Sequence, residues 1–324
     1  MLGDFTPLRP RAACENVPVS ALDVTDWNGG QTVRRGGVEV RCEGVVHLYR
    51  TFAGHDVVAL RGLDLSIAAG ERVAFLGPSG CGKSTLLTLL GGIQRPSAGR
   101  IFLGDQEISR LNERRLTRVR ARLVSTMLQG ATRNLLAYAT ARQNLAFARL
   151  GAEVHRDDHS RDDLPDPMEL LERVGLGDQR DQVVSTMSGG QRQRLALACA
   201  VATGPRLLLA DEPTSALGHD DRIAVVDLLH RVATDLDTTL VVVTHQAEVA
   251  ASFPRTITMR NGRIGAEGRS GSEYAVLGEE GLLHLPTELV EAWPAGLLVR
   301  IEPDGDDRLV ITREGQQNPQ EGSR

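Results

Sequence analysis

Apolar residues recur along this chain with two different periods. From Val38 a two-residue alternation runs through VEVRCEGVVHLY and again through VVALRGLDLSI, which predicts two strands. ERVAFL is a short unbroken apolar strand ending at Gly77, and KSTLLTLLGG predicts a helix that starts inside a glycine-rich stretch and stops at Gly91-Gly92. A strand follows around RIFL. In LNERRLTRVRARL, Leu116, Val119 and Leu123 share one helical face, while Arg114, Arg115, Arg118, Arg120 and Arg122 crowd the rest. That basic surface reads as a solvated helix face or as a contact with anionic lipid headgroups. LVSTMLQ reads as a further strand.

Residues 130 to 187 interrupt the alternation with mainly helical texture in QNLAFARL and MELLERVGL, separated by the acidic loop HRDDHSRDDLPDP. It resumes with SGGQRQRLALACAVATG (helix), RLLLAD (strand), HDDRIAVVDLLHRVATDL (helix), TTLVVVTH (strand) and a closing pair near RTITMRNGRIGAEG. Short apolar strands separated by helices imply an α/β fold with a mostly parallel sheet covered on both faces. Residues 1–36 lack periodicity and read as a disordered extension. GRSGSE, with residues 269–273 at its centre, reads as a linker. Residues 274–313 form a β-β-α-β-β pattern too small to be stable alone, and 314–324 read as a disordered tail.

Composition narrows the function. With 41% hydrophobic and only 3% aromatic residues, the core must be aliphatic. A formal net charge of -5 argues against a protein whose main work is neutralising nucleic-acid phosphates, so no nucleic-acid partner is expected. Cys14, Cys42, Cys81 and Cys199 are scattered without paired spacing, which fits neither a disulfide framework nor a zinc site and suggests a reducing cytosol. The first residues lack the features of a secretory signal. No apolar run approaches the ~18–20 residues of a membrane helix, so a membrane function would borrow its spans from a partner.

The stretch Gly77-Pro78-Ser79-Gly80-Cys81-Gly82-Lys83-Ser84-Thr85 contains the only lysine among 37 basic side chains. Its G-x4-G-K-S spacing, between a strand and a helix, fits a phosphate loop: glycines let backbone N–H groups turn inward, and the helix N-terminus adds partial positive charge. Lys83 would neutralise the β- and γ-phosphates, where arginine's broad planar fork would not fit, and the Ser84 hydroxyl would reach Mg²⁺. Downstream, RLLLADEPTSALG ends a strand at Asp211, within reach of a phosphate-bound metal. Glu212 follows directly as a candidate general base for an attacking water.

With MSGGQRQRLALACA added to those two motifs, the chain resembles the ATP-binding cassette (ABC) family from about Val38 to Gly268. The resemblance implies a P-loop NTPase cassette with a mostly parallel sheet, an antiparallel β subdomain and a helical insertion at about 130–187, carrying a small C-terminal β-rich module. It implies ATP and Mg²⁺ as ligands and further roles at matching positions. Ser188, Gly189, Gly190 and Gln191 look like the signature that closes on nucleotide held by another copy. Gln129 resembles the glutamine of the Mg²⁺ and water shell, His245 the γ-phosphate histidine, and Tyr49 the aromatic that stacks on adenine. A homodimer would suffice, and a heterodimer stays open.

Two positions depart from the family pattern: Met187 stands where leucine is usual, and Gly218 replaces the aspartate after Ser-Ala-Leu that helps link the two sites. Within the family the phrasing looks most like the macrolide-exporter, lipoprotein-release and cell-division group, with QGATRNLLAYATARQNL as the permease-facing segment. The implied function is an ATPase subunit that drives a separate membrane permease from the inner, cytoplasmic face of the cell membrane. The alternative is a non-transport ATP-switched regulator of a cell-envelope or DNA-associated partner. The tail from Tyr274 to Thr312 resembles the swapped-hairpin barrel of transition-state regulators. Glu279, Glu280 and the lack of a basic cluster there point to dimerisation or regulation rather than DNA contact.

Overall fold

Two sheets and a separate hairpin carry the strands in the computed structural model, which describes residues 36–50, 56–154, 164–269, 272–275, 293, 297, 299–305 and 308–313. The smaller sheet is antiparallel, in the order β2 (Asp56–Ile67), β1 (Val40–Arg50), β4 (Ala98–Leu103), β5 (Gln106–Glu107). The larger has seven strands. Its parallel part runs β9 (Arg255–Arg260), β3 (Arg72–Leu76), β8 (Thr239–Thr244), β7 (Leu207–Asp211), β6 (Val124–Met127). Two antiparallel strands, β10 (Arg263–Arg269) and β11 (Ser272–Ala275), extend it beyond β9.

The unbroken apolar runs form the centre of this sheet because both of their faces are covered. Ala74, Leu208, Ala210, Leu240 and Val242 point into one aliphatic core, whereas Val73, Phe75, Leu207, Leu209, Val241 and Val243 point into another. The first core is closed by α3 (Ala141–Val154), α4 (Pro167–Arg173), α5 (Gly189–Val201), α6 (His219–Asp235) and α7 (Ala247–Ala251). The second is closed by α1 (Lys83–Leu90), α2 (Glu113–Leu123) and the inner face of the antiparallel sheet. Leu86, Leu87, Leu89 and Leu90 bury α1 under that sheet. The expected mostly parallel sheet with both faces covered, the antiparallel subdomain and the helical insertion are all present.

The helix limits follow local chemistry. Asn112 caps α2 by accepting from Arg115 N, and its predicted face buries Leu116 and Val119. Asp166 caps α4, with Pro167 in the first helical position. Gly92, at φ 61°, follows the end of α1 where Gly91-Gly92 predicts a stop.

The tail differs from expectation in one respect. The stretch predicted to be a linker pairs as a hairpin, with Gly268 opposite Glu273 and Arg269 opposite Ser272. Through that pairing β11 joins the large sheet. Beyond it, β12 (Val299–Pro303) and β13 (Leu309–Arg313) form the predicted antiparallel hairpin. The predicted disordered ends, the acidic loop at 155–163 and the strand and helix at 276–292 lie outside the described residues.

Candidate functional site

The C-terminal ends of β3, β6, β7 and β8 lie side by side in the parallel sheet, and each hands the chain to a predicted site residue. Ligands of open parallel sheets bind at that edge. β3 leads into the phosphate loop. Gly82 has φ 103°, and a Cβ there would sit 2.5 Å from the Ala59 carbonyl, so only glycine fits before the first turn of α1. The loop is docked on the β9–β10 turn by Gly262 N donating to Cys81 O at 3.0 Å.

Lys83 is 6% exposed. Its ammonium folds back to donate to Gly77 O at 2.6 Å and Pro78 O at 2.9 Å, and lies 3.8 Å from Cys81 Sγ. The loop's own carbonyls thus hold the lysine back against the phosphate loop. Ser84, the second residue of α1, donates to Asp211 Oδ1 at 3.2 Å. Burial pushes the Asp211 carboxyl above its usual range. The Ser84 hydroxyl bond opposes that rise, Glu212 adds to it, and Lys83 and Arg133 pull the other way.

Glu212 follows Asp211 in the left-handed region at φ 48°, unusual for a non-glycine residue and costing on the order of 1 kcal/mol or more. Its backbone is pinned on both sides: its N–H donates to Val243 O at 2.9 Å, and its carbonyl accepts from Ser215 N at 3.0 Å. The strained turn aims the side chain at His245, with Oε1 2.8 Å from Nδ1. Oε2 is buried without a hydrogen-bond partner among the described residues. An orphaned buried acceptor costs about 1–3 kcal/mol, which a bound water would relieve.

Gln129 is exposed two residues past the end of β6. The Asn134 side chain brackets it, accepting from Leu128 N at 2.8 Å and donating to Leu128 O at 2.8 Å and Gly130 O at 3.0 Å. Tyr49, on β1, is partly exposed. Its hydroxyl donates to Gln94 Oε1 at 2.9 Å and lies 3.3 Å from the Thr85 hydroxyl, so the ring is tied to the phosphate loop's helix.

Ser188 caps α5 in a reciprocal box: Gln191 N donates to Ser188 Oγ at 3.2 Å, and Ser188 N donates to Gln191 Oε1 at 2.8 Å. Ser188 and Gly189 are exposed. Gly190 is buried so close to Asp221 that a Cβ would fall 2.5 Å from Oδ1. Among the described residues no hydrogen bond joins this turn to the phosphate loop. The fold therefore pairs Ser84 with Asp211 and Glu212 with His245 at one sheet edge, with Lys83 held by its own loop and Gln129 on a bracketed loop beside them. It leaves the Ser188 turn presented outward.

Sequence reasoning missed Arg133, close enough to influence Asp211, and Asn134. The composition GATRN signals a turn and nothing of either role. It also missed Gln193, a buried side chain whose amide donates to Pro213 O and ties α5 to the loop after Glu212. Met187 is buried in the first core, where a leucine-sized apolar side chain is what packing requires. Gly218 has ordinary φ −64° and open space at its Cβ, so the fold does not demand glycine there. Cys42, Cys81 and Cys199 are free and buried, and burial pushes the Cys42 and Cys199 thiols up to about 12, which leaves neither a ready nucleophile.

Residues 60–215 match the family model described as ABC transporter. An uncharacterized ABC transporter ATP-binding protein of Thermotoga maritima is 39% identical over 218 residues, covering 67% of this chain and 90% of its own length. The lipoprotein-releasing system ATP-binding protein LolD 2 of Caulobacter vibrioides is 37% identical over 222 residues, covering 68% and 94% respectively. The dimeric post-hydrolysis structure of the ATP-binding cassette MJ0796, bound to ADP and Pi, superposes with a TM-score of 0.62 at 29% identity. That match covers 71% of this chain and 98% of that one.

Proposed function

This chain belongs to the ABC transporter family as an ATP-binding, ATP-hydrolysing subunit, and on that premise we propose how its own residues perform the work. Two copies close around two ATP molecules, each nucleotide lying between the phosphate loop of one copy and the Ser188 turn of the other. Closure moves a separate membrane permease, and hydrolysis reopens the dimer. The observation that carries this reading is the pairing at the sheet edge, Ser84 with Asp211 and Glu212 with His245, while the signature turn faces outward for a second copy.

Within each site Lys83 leaves its carbonyl partners for the β- and γ-phosphates, and the N-terminus of α1 supports the same charge. The donors fit Mg²⁺: a hydroxyl and a carboxylate oxygen already 3.2 Å apart, with Gln129 on the adjacent loop, offer a hard oxygen set. Bound there, Mg²⁺ would neutralise charge on the β- and γ-phosphates. Glu212 accepts the proton of the attacking water, and His245, bonded to Oε1, fixes the carboxylate and faces the γ-phosphate. Tyr49 stacks on the adenine.

On the helical side Tyr138, Phe147 and Leu150 are 81%, 62% and 55% exposed. This apolar surface on and before α3 suits the permease contact predicted for QGATRNLLAYATARQNL. Among the described residues no helix is long and apolar enough to cross a membrane, so the spans come from the permease, and the chain works on its cytoplasmic face. The C-terminal hairpin exposes Val299, Ile301 and Leu309, and a lone two-stranded ribbon needs a packing surface, which favours a role in self-association or regulation.

The test is ATP turnover by Glu212→Gln. Loss of a positioned general base lowers the rate by about 100-fold or more. Turnover at the unmodified rate would overturn the assignment of Glu212.

A further inference from the structure

The side chain that brackets Gln129 has a partner of the same kind ten residues on. Asn134 accepts from Leu128 N and donates to Leu128 O, treating that residue as a strand neighbour would, and a third bond reaches Gly130 O on the far side of Gln129. Asn144, in the first turn of α3 and 3% exposed, repeats the pattern: it accepts from Leu136 N at 2.7 Å and donates to Leu136 O at 3.2 Å and Thr140 O at 2.9 Å. Each amide occupies its oxygen and nitrogen without conflict. Leu135, between Asn134 and the Leu136 that Asn144 grips, is buried in the first core.

We propose that Asn134 is the positioning residue for Gln129. The inference rests on the reading of Gln129 as part of the Mg²⁺ and water shell. Gly130 has φ 83° and both Leu128 and Gln129 are exposed, so without the bracket the backbone around Gln129 is free to vary. With it, the Cα of Gln129 is held by bonds on both flanks.

The experiment is a double-mutant cycle in the full chain with Gln129→Ala and Asn134→Ala, read as turnover number and as the Mg²⁺ concentration giving half the maximal rate. Hydrogen exchange at the Leu128 amide, measured without nucleotide, provides a readout independent of activity. Asn134→Ala alone lowers the turnover number and raises the Mg²⁺ requirement by about tenfold, while in the Gln129→Ala background it adds less than about twofold, since coupled residues are non-additive. Asn134→Asp keeps the acceptor for Leu128 N and gives up both donors, so it falls between. Leu128 exchange speeds up in Asn134→Ala and is largely unchanged in Asn134→Asp. Fully additive effects, or unchanged Leu128 exchange in Asn134→Ala, would overturn the positioning role. An unchanged rate and Mg²⁺ requirement in Gln129→Ala alone would instead remove Gln129 from the metal shell, and the inference with it.

Discussion

Asp211 is held in the nucleotide-free chain at some expense. Burial, with Glu212 adjacent, favours its protonated form, only partly opposed by Ser84, Lys83 and Arg133. A carboxyl whose folded pKa is raised stabilises the fold fully below the ordinary carboxylate range, and that contribution is lost as pH rises through the raised value. The ionised form of Asp211 is therefore the one its surroundings disfavour. Asp211→Asn, which mimics the protonated side chain, raises the thermal midpoint at pH 7.5, modestly because solvent screens a half-exposed group. The gain shrinks at pH 4.5, and Mg²⁺-dependent turnover is lost. A lower midpoint for Asp211→Asn at pH 7.5 would contradict this account of the site. The same carboxylate was legible in the sequence because an apolar run ending in Asp-Glu has few other uses downstream of a phosphate loop. Lys83 was legible because it is the only lysine. Asn134 was not: an asparagine four residues past a glycine is ordinary turn chemistry, and nothing in GATRN reveals that its amide reaches back across Gln129.

The elements around these residues were readable where period and caps agreed. Ser188-x-x-Gln191 ahead of an apolar run is a capping box by sequence, and the box forms. It also gives Ser188 two roles, as cap of α5 and as the outward group of the turn. Ser188→Ala loses the cap, worth about 1 kcal/mol, and shifts thermal unfolding by only a few degrees. Its hydrolysis rate falls further than that shift accounts for, whereas Ser188→Thr keeps the cap and recovers part of the rate. A Ser188→Ala protein with full turnover would reduce the motif to a helix cap. Where turn composition and strand pairing compete, the sequence was less readable. Gly268 to Glu273 has the residues of a flexible linker, yet Gly268 pairs with Glu273 and Arg269 with Ser272, joining β10 to β11. Local composition cannot distinguish a turn from a tether when the pairing strand is only four residues long.

At the scale of the molecule, one sheet separates two aliphatic cores and brings four strand ends to a single edge, and the function follows from what that edge lacks. It has a lysine, a hydroxyl, two carboxylates and a histidine, yet among the described residues the Ser188 turn makes no hydrogen bond to any of them. That division came from the motifs' resemblance to the ABC family, because distance along the chain does not say whether two motifs meet in one copy. The most direct measurement is the molar mass of purified Glu212→Gln by light scattering with and without ATP and Mg²⁺. Trapping unhydrolysed ATP, this variant shifts from the 35.0 kDa chain to twice that mass on adding nucleotide, and a further Ser188→Ala change abolishes the shift. A mass that ignores ATP in Glu212→Gln, under conditions where the nucleotide is bound, would contradict the composite site.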